Sequence, residues 1–392
     1  MRRCGNSAQN RHLFWNTIIC QKSLKPDGLG TFLLATKIIL MYNKISFNKK
    51  DTFVKRNKFN YNAKDAASIY FWMLVANILF SLIFVVICTK IALNKGVKAE
   101  AILETNSMLY ISALIPQILY CGVTLFYSFV QRVNVPVATT VNHKPNWKMA
   151  LICVAISLAC LFGFNYFVGL CDHIIFLITK IAPQTALVGT KWWQVILYVL
   201  ILAVIPALVE ELIFRGVIFN GLKTKYKLST AIVLSGLLFA LMHMSISQFI
   251  YQFVLGCLYA VIAHMTGSIV YSMIAHFTNN FTVLMMSLIS STAFTFTKWG
   301  FWEIFGTISI LLGGVVLVLF LLKVLFNLTK KHPIKKQIIK EDLEEQKEKL
   351  KQAEGLSEYE IKQLNSEVFS DKAVLIISFV LGALLWLLSV FG

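Results

Sequence analysis

Four residues in the second half of the chain could together activate a water: Glu210, His243, His276 and Asn280. A carboxylate can take the proton of an attacking water, and one imidazole can share and orient that water. A second imidazole with a carboxamide can donate hydrogen bonds to the oxyanion that forms on a carbonyl. Such a set suits hydrolysis. Glu210 and Glu211 are the only acidic residues between Asp172 and Glu303, and they sit side by side in a long apolar run. Glu211 and Arg215 are i,i+4 neighbours in acid-first order, so they pair along one helix face as a supporting ion pair. Glu210 points about 100° away and is left free. His276 and Asn280 share a face by the same spacing, as do Phe239 and His243, the ring providing an apolar wall behind the imidazole. His264, beside Gly267, reads as an interfacial residue instead.

The elements that must position these groups are set by composition. Of 392 residues, 57% are apolar and 14% charged, and mean hydropathy is +0.69. A soluble domain carries about 25% charged residues, which excludes a disordered chain and argues against a soluble enzyme or a nucleic-acid binder. The net charge of +18 lies mostly between long apolar runs, where it orients a membrane protein rather than recruiting an acidic partner. The eight cysteines are scattered without a C-x-x-C pair, so neither a disulfide framework nor a zinc knuckle is expected.

A span needs about 20 mostly apolar residues. Such runs occur at 69–92, 107–130, 149–171, 192–222, 228–246, 248–265, 268–290, 304–328 and 373–391. The expectation is an all-α, polytopic membrane bundle of eight to nine transmembrane helices, with a tilt or kink at Pro206 and interfacial anchors at Trp192 and Trp193. With the N-terminus in the cytoplasm, inner segments hold 30 Lys and Arg against 6 outside, a strong positive-inside bias. The segments are then a basic cytoplasmic stretch over 1–66, flanking spans over 67–191, a core over 192–290 and a span within 291–328. A charged cytoplasmic helical segment follows at 329–372, and a last span over 373–392. Residues 1–40 lack a span or a cleavage pattern, and Met41 opens a basic, Asn-rich lead-in, so Met41 reads as the true start. Counted along helices, Glu210 lies roughly 19 Å, His243 roughly 22 Å and His276 roughly 14 Å from the inner loops. Three successive helices thus carry their polar residues near one depth, where an ionisable group is a functional-site hypothesis by default.

Three motifs stand in order on those helices: Glu210-Glu211-Leu-Ile-Phe-Arg215-Gly216, Phe239-Ala-Leu-Met-His243 and His276-Phe-Thr-Asn-Asn280. They match E-E-x-x-x-R-G, F-x-x-x-H and H-x-x-x-N. On these residues the stretch 192–290 resembles the CPBP intramembrane proteases, a family of CAAX prenyl endopeptidases and bacteriocin-processing or immunity proteins. The resemblance implies a membrane peptidase in which Glu210 and His243 activate water, His276 and Asn280 stabilise the oxyanion, and Glu211 and Arg215 support the site. The metal question stays open at this level. Glu210, His243 and His276 are ligands of a type that suits Zn2+, but H-E-x-x-H is absent. No Asp falls in the spans as drawn, which excludes a two-aspartate mechanism, and Ser268 reads as a helix N-cap rather than a nucleophile.

Two other functions fit parts of the pattern. A proton-coupled transporter could use Glu210 and the histidines as a pathway, and a non-catalytic immunity or scaffold protein would keep the fold without turnover. The Lys-, Ile- and Asn-rich composition is similar to that of a low-GC bacterium. The expected setting is therefore a bacterial cytoplasmic membrane, with a peptide or membrane-protein substrate such as a leader peptide or a pheromone. The lipid bilayer is the other partner, and no nucleic acid is expected.

Overall fold

The computed structural model describes residues 60–103, 105–133, 135–139, 145–179, 191–289 and 299–330, with 376, 380 and 383 as isolated positions. The described residues form an all-α assembly whose longer helices are α1 (Ala63–Lys95), α2 (Asn106–Val130), α3 (Trp147–Thr179), α4 (Trp192–Lys223), α5 (Leu228–Met242), α6 (Ile246–Thr266), α7 (Ile269–Ile289) and α8 (Phe301–Lys330). The expectations for residues 1–59 and for the charged segment after Lys330 fall outside the described residues, as does nearly all of the last span.

Local chemistry sets the helix ends. Asn62 and Asp65 form a reciprocal capping box at the start of α1, which satisfies two terminal N–H groups. Ser268 Oγ accepts from the Val270 N–H at 3.3 Å, as expected of a residue leading into α7. Asp65 in the first turn of α1 and Asp172 near the end of α3 both lie within helices long enough to span. Both fall outside the spans drawn from hydropathy, because the two helices run past those boundaries.

Among the described residues six helices are long and apolar enough to cross a membrane: α1, α2, α3, α4, α6 and α8. The other two fall short for different reasons. Helix α5 has 15 residues, about 22 Å of rise against about 30 Å of hydrocarbon. Helix α7 has 21 residues but carries Ser272, His276, Thr278, Asn279, Asn280 and Thr282, which dilute its apolar content. The expected span 228–246 also ends sooner than hydropathy suggests. The chain reverses at His243–Ser245, with Met244 in the left-handed region at φ 47°, and Ser245 Oγ accepts from the Gln248 N–H to start α6.

Helix α4 is the hub. Its most apolar stretch is 50% buried within the protein, against 6% for α8, and it packs on α1, α2, α5, α6 and α7. It does not simply kink at Pro206. Two π-helical stretches, Val199–Val204 and Leu212–Phe219, bracket the α-helical turn Ile205–Glu211. Pro206 has no N–H for the ladder, and the wider winding before it absorbs that loss. Single-turn π segments recur at functional sites, and here they flank the two glutamates.

Helices α5 and α6 touch backbone to backbone. A Cβ on Gly256 would stand 2.7 Å from Gly236 Cα, and one on Gly236 would stand 2.6 Å from Cys257 Sγ. Small residues permit such contact between membrane helices. Gly256→Val is therefore expected to lower thermal stability, read as loss of the monodisperse peak after heating in detergent. Gly306→Val, where an added Cβ meets nothing within 4 Å, should leave the peak unchanged.

Candidate active site

The site is built where α4, α5, α6 and α7 meet, with α2 closing one side. Glu211 is fully buried, and its Oε1 accepts from Arg215 Nη1 at 2.7 Å along α4. The same oxygen accepts from His276 Nδ1 at 2.9 Å. Arg215 is itself fully buried, donates from Nη2 to the Gly256 carbonyl at 2.9 Å, and lies over the Phe239 and Tyr259 rings at 4.6 and 5.2 Å. The Glu211–Arg215 pairing expected from spacing is present, and it also holds a histidine from another helix.

His243 owes its orientation to the end of α5. The last carbonyls of a helix lack intrahelical donors, and His243 Nδ1 bonds one of them, Phe239 O, at 2.8 Å. A carbonyl only accepts, so Nδ1 carries the proton and Nε2 faces away from α5. The Phe239 ring packs edge-on against the imidazole at 4.7 Å, as the F-x-x-x-H spacing implied. His276 follows the same logic, with Nδ1–H given to Glu211 and Tyr259 stacked on its ring at 5.2 Å.

Glu210 receives both rings. Its Oε2 lies 3.9 Å from His243 Nε2 and 3.9 Å from His276 Nε2 and makes no hydrogen bond of its own. Its Oε1 accepts from Gln117 Nε2 of α2 at 2.7 Å. Glu210, His243 and His276 are thus brought together, not splayed toward separate surfaces. Asn280 is not joined to them by a hydrogen bond. Its Oδ1 accepts from Asn279 Nδ2 at 3.2 Å, and the buried neighbour Asn279 takes the Tyr251 hydroxyl. Inspecting ionisable groups alone missed Gln117 and Tyr259. The available signal was a carboxamide beside Pro116 in the middle of an apolar helix, where polar groups are costly.

Glu210 stands farther from both histidines than one zinc ligand stands from another. Ligands at about 2.0–2.1 Å from a tetrahedral zinc stand about 3.4 Å from one another, and both Glu210–histidine separations exceed that. Among the described residues no group of three or more His, Cys, Asp or Glu is arranged to hold a metal ion.

No curated protein and no solved structure matches the chain. Residues 191–282, about a quarter of the chain, match the family model described as Type II CAAX prenyl endopeptidase Rce1-like. The match spans α4 to most of α7 and contains all three motifs. It lends no support to the bacteriocin-related branch or to a metalloprotease label. Residues 191–282 are thus an Rce1-like type II CAAX prenyl endopeptidase (CPBP) family domain.

Proposed function

We propose that the protein is an intramembrane endopeptidase that hydrolyses a peptide bond with a glutamate-activated water. The observation that carries this is Glu210 Oε2, buried, without a hydrogen-bond partner, and equidistant from two imidazole nitrogens. Gaps of 3.9 Å are too long for direct hydrogen bonds and suit one bridging water. Glu210 takes a proton from that water as its oxygen attacks the carbonyl carbon, and His243 Nε2 shares and orients the water. The carbonyl electrons move onto oxygen, where the Asn280 amide and His276 stabilise them. His276 donates there only while Nε2 carries a proton, since its Nδ1–H is committed to Glu211. As the C–N bond breaks, Glu210 returns its proton to the departing amine. Glu211 and Arg215 fix the ring of His276 and take no proton in the reaction.

In this reading α5 and α7 enter the membrane with the other helices, giving eight to nine crossings with the N-terminus in the cytoplasm. The substrate is a peptide or membrane protein that reaches Glu210 from within the bilayer of a bacterial cytoplasmic membrane. The test is cleavage of a peptide library by purified protein in liposomes, with products identified by mass spectrometry. Cleavage is expected, and it should survive chelator treatment in samples that elemental analysis shows to be metal-free. Proton flux into protein-loaded vesicles without cleavage would instead favour the transporter, and a folded protein with neither activity the immunity or scaffold role.

A further inference from the structure

We infer that Gln117 positions the base, so that a helix outside the matched stretch 191–282 completes the site; the inference rests on the peptidase reading above. Gln117 lies in the middle of α2 and is 3% exposed. A carboxylate oxygen only accepts, so the amide nitrogen must face Glu210, and the Nε2–Oε1 distance is 2.7 Å. The consequence concerns the other oxygen. A carboxyl group free to rotate would exchange Oε1 and Oε2, and the oxygen facing the histidines would not be fixed. The Gln117 bond holds Oε1, which leaves Oε2 on the side of both Nε2 atoms. Gln117 Oε1, in turn, makes no hydrogen bond. A carboxamide serving only to fasten two helices would be expected to satisfy both of its ends. Gln117 has one end committed to the base and one buried acceptor unused, which fits orientation of a reactive group better than fastening.

Gln117→Met and Gln117→Glu separate positioning from fastening. Gln117→Met removes the donor at similar length and should lower kcat by about 10- to 100-fold, as loss of a hydrogen bond to a charged group would, with KM unchanged within about twofold. Gln117→Glu places a second carboxyl beside Glu210 at a distance where the two cannot both ionise and must share one proton. Cleavage by this variant should be retained at acid pH, where the shared proton still donates, and should fall as pH rises and that proton is lost. The wild-type carboxamide has no proton to lose. Glu210 is also faced by His243 from α5 and His276 from α7, by Tyr120 on α2, and by its α4 neighbours Glu211 and Arg215. These groups are common to variant and wild type, so the difference between their pH profiles belongs to position 117. Unchanged kcat in Gln117→Met, or equal losses in both variants at every pH, would overturn the inference and leave Gln117 a fastening. Glu210→Gln is measured alongside. If that variant cleaves normally, or the wild type does not cleave at all, the peptidase reading itself fails and this inference falls with it.

Discussion

Replacing Glu210 with alanine is expected to lower peptide cleavage by about 10²- to 10⁴-fold, the usual contribution of a general base, while the protein still inserts and folds. Folding should survive because the buried ion pair that locks α4 to α6 and α7 uses Glu211, not Glu210. Glu210 makes one side-chain hydrogen bond, to Gln117, and its removal takes an ionisable group out of the protein interior. Glu210→Gln is the matched control, since it keeps the volume and the acceptor for Gln117 but has no proton affinity. Both variants should elute as the wild type does on size exclusion and show no product above background. Wild-type cleavage by either would remove the proposed base.

The sequence made this prediction possible because the decisive groups sit at fixed helical spacings. Glu211 and Arg215 are one turn apart, and a pair at i,i+4 needs no knowledge of tertiary structure. Phe239 and His243 are legible for the same reason. What spacing cannot supply is the identity of a partner on another helix. His276 is tied to Glu211 across 65 positions, Gln117 to Glu210 across 93, and nothing along one helix marks either contact. Asn280 shows the limit from the other side. It shares a helix face with His276 as expected, yet its side chain bonds Asn279. The end of α5 was hidden too, since Met242–Ser245 has neither Gly nor Pro to announce a turn. Spans are least legible where polar side chains dilute hydropathy, and those of α7 make it a poor membrane helix by composition.

Arg215→Met should be the most destabilising single change at the site. Arg215 neutralises Glu211, occupies the Gly256 carbonyl and lies against Phe239 and Tyr259. Removing one member of a buried pair strands the other charge, at a cost of about 3–5 kcal/mol. Glu211, fully buried, would keep only the His276 Nδ1–H as partner. The expected outcome is a protein that loses its monodisperse peak at markedly lower temperature than the wild type, whatever its activity. Arg215→Met combined with Glu211→Gln tests the cause. With no carboxylate left to strand, much of the lost stability should return, because replacing a whole buried pair is often nearly neutral. An amide oxygen at position 211 could still accept from His276, so the ring would keep its place while losing the charge beside it. If the double variant is as unstable as Arg215→Met alone, the cost lies in the lost packing against Phe239 and Tyr259 and the broken Gly256 contact. Arg215 would then act as a space-filling strut between α4 and α6 more than as the counter-charge of Glu211.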